Sequence, residues 1–314
     1  MMRNSWMRKP TRLGLSFTGV LCMGMWGCGG STEVGDAVVV PPPGSGTPAA
    51  STASHAAPTA APGAGSTAAA PAATPDASPV KAEGWGTLKG QIVLSGDAPA
   101  AKTLVEPGKA AKDPEVCAVG APILSQRLVV DAGTKGVKNV LVYIPKPTAV
   151  NPEAKKTASE AKVIFDQTKC IFEPHVLVAL ADVPITLKSS DTVNHNVNIK
   201  LKNSPGNKLL GPGASDTVTT SGAERTPGMV TCDIHPWMQA WWMILDSPYF
   251  AVTDDKGNFE IKNVPAGTQK VVVWQEALTG NGFVTSPAGE DVNVKPNDTT
   301  AKNYTIDVAK LRAE

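Results

Sequence analysis

Residues 232 to 238 read Cys-Asp-Ile-His-Pro-Trp-Met, which puts a thiol, an imidazole and a thioether into one short stretch. Cys232, His235 and Met238 are donors that suit copper, and a second imidazole from a distant strand would complete a trigonal site with a weak axial sulfur. His195, in Asp-Thr-Val-Asn-His-Asn-Val-Asn, is the candidate for that imidazole. Each residue alone has a plainer reading. A lone cysteine is usually a small buried apolar side chain, a lone histidine a hydrogen-bonded one, and Met238 beside Trp237, Trp241 and Trp242 is ordinary core packing. The combination favours metal, because the Cys/His/Met run follows an expected strand and His195 sits on another. His175, in Phe-Glu-Pro-His-Val, reads as structural or hydrogen-bonding, with extra ligand as the alternative. Met229, three residues ahead of Cys232, reads as core packing by strand alternation.

The elements that must position these residues are strands. Short runs of apolar and β-branched residues separated by Pro, Gly, Asn and Asp predict strands over 86–94, 127–130, 137–144, 162–165, 176–180, 184–189, 194–199, 216–220, 228–231 and 240–246. A single short helix is expected over 152–161, rich in Ala, Lys and Glu. The fold class is therefore all-β. Seven of these strands fall within 162–246, which predicts a Greek-key sandwich that brings His195 and the 232–238 loop to one end. From residue 249 the pattern changes to hairpins, with a turn at 254–257. Its Asp pair lacks the alternating oxygens of a calcium loop, and Asp-Lys-Gly is a good turn with glycine at positive φ.

The two ends of the chain say where it works. Arg3, Arg8, Lys9 and Arg12 precede an apolar run over 13–26 that is short for a membrane span, so 1–27 reads as an export signal. Met-Trp-Gly-Cys-Gly-Gly resembles a bacterial lipoprotein cleavage site, which would make Cys28 the lipidated first residue and anchor the protein to a membrane; an ordinary secretory signal is the alternative. Residues 28–84, mostly Ala, Pro, Ser, Thr and Gly, cannot bury enough apolar surface to order themselves and read as a disordered tether, with His55 a solvated bystander. The folded part then divides into a β segment over 85–150, a metal domain over 151–248 and a second β segment over 249–314. Without the four basic residues of the leader, 25 basic residues remain against 28 acidic, a balance of −3. No basic patch for nucleic acid is present. Of the five cysteines, Cys22 leaves with the leader, Cys28 takes lipid and Cys232 takes metal. Cys117 and Cys170 then pair as a disulfide in an oxidising compartment, or remain as two buried thiols.

The metal-ligand pattern resembles the type 1 blue-copper site of the cupredoxins, and Cys-x-x-His-Pro-x-Met is most similar to the amicyanin- and plastocyanin-like members. The resemblance covers roughly 162–246. It implies one copper with His195, Cys232 and His235 equatorial and Met238 axial. Asn196 would tie the two ligand loops together near the Cys232 sulfur, and a partly exposed His235 would form an electron port with Pro236 and Trp237. Asp233, Ile234 and Trp237 depart from familiar loops, which bears on redox potential and partner surface. The segment after residue 249 more weakly resembles a transthyretin-like, carboxypeptidase-regulatory β-sandwich module, with 86–94 and 137–144 as its other strands. The function implied is a periplasmic or cell-surface electron carrier that meets redox proteins transiently. No second histidine cluster and no Cys-x-x-Cys-His speaks for catalysis. A tethered carbohydrate-binding or adhesion lipoprotein, and a copper-handling protein, remain as alternatives.

Overall fold

Residues 83–313 are described by the structure, a computed structural model. The leader, Cys28, His55 and the tether up to residue 82 lie outside the described residues. The chain is all-β, and among the described residues its one α-helix is Pro152–Ser159. That helix starts where the sequence places it because the Asn151 side chain accepts hydrogen bonds from the Glu153 and Ala154 N–H groups and Pro152 occupies the first turn.

The central part is a sandwich of two sheets. One has five strands in the order Gly206–Leu210, His195–Ile199, Gly228–Thr231, Gln239–Leu245 and Val176–Leu180. The other has four, in the order Ser215–Thr219, Pro184–Ser189, Val163–Thr168 and Ile171–Glu173. The outermost pair of the first sheet, Gln239–Leu245 with Val176–Leu180, runs parallel, as does Val163–Thr168 with Pro184–Ser189. Alternate side chains of both sheets meet in one core, where Phe165 stacks on Phe172 and meets Trp242 edge-on.

The segments on either side of this sandwich fold together. Trp85–Ser95 pairs with Asn258–Pro265, Thr299–Ala301 and Tyr304–Asp307, and Leu141–Tyr143 lies between Phe250–Val252 and Gly267–Trp274, which in turn pairs with Glu290–Val294. Leu88, Ile92, Val142, Tyr249, Phe259 and Val273 fill the core between them. A further apolar cluster, with Tyr143 and Trp274 from these strands and Val176 and Met243 from the sandwich, joins the two parts. The turn at 254–257 forms as expected: Gly257 has φ +77°, and the Asp254 carboxylate accepts from the Lys256 and Asn258 backbone N–H groups. A side chain on Gly257 would strike the Ile92 carbonyl.

One expected strand does not form and another is shortened. Residues 127–130 contribute only an isolated bridge from Val130 to Val137, because the Arg127 carbonyl is taken by the Gln275 side chain and its guanidinium by the Ala277 and Arg312 carbonyls. Residues 137–144 shorten to Leu141–Tyr143, since Asn139 adopts φ +61° and Thr253 Oγ accepts from the Val140 N–H while donating to the Val137 carbonyl. Within the first flanking segment, a strap over 103–124 leaves its neighbours and packs on the sandwich. It carries the small pair Thr103–Val105 with Ile123–Leu124, and it buries Val105, Cys117 and Ile123 in the sandwich core.

Candidate metal centre

His195 opens its strand and Cys232 follows directly after the end of the antiparallel neighbour Gly228–Thr231, so both emerge at the same end of the five-stranded sheet. The loop after Cys232 then closes on itself. The Cys232 N–H donates to the Met238 carbonyl at 3.2 Å and the Met238 N–H to the His235 carbonyl at 2.9 Å, so 232–238 is a tight turn carrying three potential donors. A donor atom from each of His195, Cys232 and His235 lies within 4.8 Å of the other two. All three are buried, with His195 and His235 at 0% exposure, and Met238 is 1% exposed beside them in sequence and core.

The hydrogen bonds leave these donors facing one another. His195 gives its Nε2 to the Asp191 carboxylate at 2.9 Å, and its Nδ1 is buried with no partner. His235 gives its Nε2 to Asp113 at 2.9 Å and turns its Nδ1 to Cys232 Sγ at 3.8 Å. Ligand atoms around a metal bound at about 2.0–2.3 Å stand roughly 3–4 Å apart, a little closer than the 4.8 Å limit within which these three donors lie, and their chemical types suit a metal ion. Carboxylates on the far ring nitrogens are the usual means of orienting ligand histidines. The charges agree. Burial pushes the Cys232 thiol up, but the neighbouring His195 and His235 rings and the Asn196 backbone outweigh it, and the pKa falls to about 6. Burial likewise pushes His195 down, but Asp191 and then the Cys232 sulfur prevail and raise it to about 9. Both shifts favour the charged forms of these two groups.

Asn196 Oδ1 accepts from the Asp233 N–H at 2.7 Å and lies 3.3 Å from Cys232 Sγ. Its amide also donates to the Asp233 carboxylate, which accepts from the Asn198 and Asn207 amides as well and is held below the usual carboxylate range by them. Cys117 and Cys170 form the expected disulfide.

No family model and no curated protein matches the chain. Solved structures align with parts of the chain. A Cu-containing nitrite reductase from Thermus scotoductus SA-01 aligns at 18% identity and TM-score 0.24 over 27% of this chain, which spans only 22% of the reductase's length. A purple cupredoxin from Nitrosopumilus maritimus aligns at 16% identity and TM-score 0.23, over 26% of this chain and 99% of that one. Amicyanin from Paracoccus versutus aligns at 14% identity and TM-score 0.24, over 33% of this chain and 96% of that one.

One expectation about the site is corrected. His235 is not partly exposed: the strap lays Asp113 over its outer nitrogen and the disulfide sulfurs lie within 4.8 Å of its ring nitrogen. Of the three residues assigned to an electron port, Pro236 is exposed and Trp237 half-buried, with the Trp237 ring 5.2 Å from that of His235. Met229 is half-buried opposite Trp241 and stands outside the core clusters, because the alternation of its strand turns Val230 inward instead. The residues missed by sequence are the two carboxylates. Asp191 had a signal, standing four residues before His195 at the entrance of its strand. Asp113 is 122 residues from His235 and had none.

Proposed function

We propose that this protein is an extracytoplasmic electron carrier with one type 1 copper, which His195, Cys232, His235 and Met238 would hold. The observation that carries it is the buried, unpartnered Nδ1 of His195 facing a thiolate-prone Cys232 and a second imidazole, with both outer ring nitrogens anchored to carboxylates. Bound copper would supply a one-electron couple, with sulfur favouring copper(I) and imidazole tolerating copper(II). The chain's own part is rigidity. Asn196 holds Cys232, Asp191 holds His195 and Asp113 holds His235 in place on a sandwich, so these donors need not move between oxidation states. With His235 covered, Trp237 and Pro236 form the surface through which a redox partner would approach, in the small contact such encounters use.

The address is read from the sequence and the disulfide together. A structural disulfide belongs to an oxidising compartment, and the leader with Cys28 makes a lipid anchor the means of membrane attachment. Among the described residues no helix is long and apolar enough to cross a membrane. Reconstitution with copper(II) tests the function: an intense visible thiolate-to-copper band and a reversible one-electron couple are expected, and a colourless copper adduct would end the carrier reading. The burial of His235 favours a second reading, a closed copper-handling site. Rapid removal of the metal by a chelator would decide for it.

The titrating pair gives a pH signature. The depressed Cys232 pKa stabilises the fold fully above the ordinary thiol range and loses that contribution as pH falls through about 6. The raised His195 pKa stabilises it fully below about 6.5 and loses that contribution as pH rises through about 9. Between these values the slopes oppose, since folding moves one proton from thiol to imidazole without net uptake. Metal-free stability from this pair is therefore expected to be flat from about pH 6.5 to 8.5. Copper(I) affinity, by contrast, should rise about tenfold per pH unit over the same range, because metal must displace the His195 proton. Chelator competition at three pH values checks this, and an affinity that does not change with pH would show that no imidazolium is present.

A further inference from the structure

Asp233, the residue after Cys232, is exposed, yet its carboxylate accepts from three carboxamides. Asn196 Nδ2 donates to it at 2.8 Å, Asn198 Nδ2 at 2.9 and 3.2 Å, and Asn207 Nδ2 at 3.1 Å. Asn196 Nδ2 also donates to Asn207 Oδ1 at 2.8 Å, so the group is closed on itself. The three asparagines come from two strands. Asn196 and Asn198 belong to His195–Ile199, and Asn207, which pairs in register with Asn198, belongs to the edge strand Gly206–Leu210. One carboxylate on the metal loop thus meets the strand that carries His195 and the strand beyond it.

This arrangement decides which end of Asn196 faces the ligand sulfur. A carboxylate can only accept, so it draws the NH₂ of the Asn196 carboxamide to itself and leaves the oxygen for other partners. That oxygen takes the Asp233 N–H at 2.7 Å and stands 3.3 Å from Cys232 Sγ. Bonds to a charged acceptor are stronger than those between neutral groups, so the carboxylate holds the loop more firmly than a neutral side chain there would. Cys232 is 2% exposed and Asn196 6%. A reagent therefore reaches the sulfur only when the loop opens, which makes the sulfur its own reporter of how well the loop is held.

We propose that Asp233 is a positioning residue for the metal centre, its carboxylate clasping the metal loop to both strands and orienting Asn196 beside the Cys232 sulfur. The consequence for bound metal rests on the copper reading; the clasp itself is tested without metal. The full-length, metal-free protein is alkylated with iodoacetamide and the modification is read at Cys232 by mass spectrometry. The pH is 8, above the Cys232 pKa of about 6, which loss of a nearby anion only lowers further. Asp233→Ala should speed the reaction roughly tenfold or more, as loss of hydrogen bonds to a charged acceptor implies, while the urea midpoint of the whole chain stays put. Asn207→Ala removes no charge, yet it should speed the reaction about threefold through its lost bond to the carboxylate. The double variant should fall clearly short of the product of the two single effects, because both break one network. After copper loading, Asp233→Ala should also shift the visible band, which a brace remote from the sulfur would leave alone. An Asp233→Ala rate equal to the parent's, a double variant at the full product, a rate gain matched by a global loss of stability, or a parental band that the variant leaves unmoved would each overturn the proposal. A parent with no visible band would overturn the copper reading alone, since alkylation is read without metal.

Discussion

Cys232→Ser is expected to abolish the visible band of the copper-loaded protein and to weaken copper binding by more than the roughly 10–100-fold that loss of an outer-shell partner costs, while the metal-free chain still folds. Sγ is the one sulfur at the meeting point of the site, 3.8 Å from His235 Nδ1, 3.4 Å from the His235 N–H and 3.3 Å from Asn196 Oδ1. A hydroxyl in its place does not ionise near neutral pH and forms no soft bond to copper, so the charge-transfer transition has no donor. The loop does not depend on the sulfur. Its closure runs through the Cys232 N–H to the Met238 carbonyl, the Met238 N–H to the His235 carbonyl and the Asp233 N–H to Asn196 Oδ1. A serine hydroxyl can donate to Asn196, so the loss of stability should stay within about 1–3 kcal/mol. Absorption after copper addition and urea unfolding of the metal-free variant check both halves. A variant that keeps the band would remove Cys232 from the ligand set.

The central sandwich was legible because its strands are short apolar and β-branched runs bounded by turn residues, and its ligands carry chemistry in their types. Val176–Leu180, Pro184–Ser189 and Gly228–Thr231 form over the very residues that pattern predicts. Gly206–Leu210 was not legible: four of its five residues are exposed, so an edge strand held only by pairing to His195–Ile199 shows no alternation. Glu290–Val294 does alternate, with Val292 and Val294 inward, and a reading carried past residue 274 would have found it. The strap was illegible for a different reason. Thr103–Val105 and Ile123–Leu124 are too short to show a period, and what fixes the segment between them is a disulfide and one carboxylate, both of which act across more than 50 residues. His175 was read correctly as hydrogen-bonding, but its partner Glu276 lies 101 residues away on another unit, and no local pattern could name it.

Removing the disulfide by Cys117→Ala with Cys170→Ala is expected to reach the metal centre as well as the fold. The bond closes a sequence separation of 53 residues, for which chain entropy predicts a stabilisation of about 4 kcal/mol. Both sulfurs are fully buried in the sandwich core. The functional consequence follows from what the two cysteines' backbones hold. The Cys117 N–H donates to the Asp113 carbonyl, fixing the turn whose carboxylate meets His235 Nε2. The Cys170 N–H donates to Asp191, the carboxylate that holds His195 Nε2, and the Cys170 carbonyl accepts from Trp237 Nε1. One covalent link therefore stands between both carboxylate–histidine pairs and the side chain at the surface of the metal loop. Without it the strap must be held by the apolar contacts of Val105, Ala110, Val116, Ala118 and Ile123, and Asp113 loses its fixed position over His235. The double variant should unfold with about 4 kcal/mol less free energy in urea, bind copper(I) about 10–100-fold more weakly, as loss of oriented outer-shell carboxylates does, and expose the His235 ring to solvent. Asp113→Ala separates the two effects, since it removes the carboxylate and leaves the disulfide: it should reproduce much of the affinity loss with little of the destabilisation. If the double variant loses stability but holds copper as tightly as the parent, the strap is a structural brace and the pairs at His195 and His235 are kept by the sandwich itself.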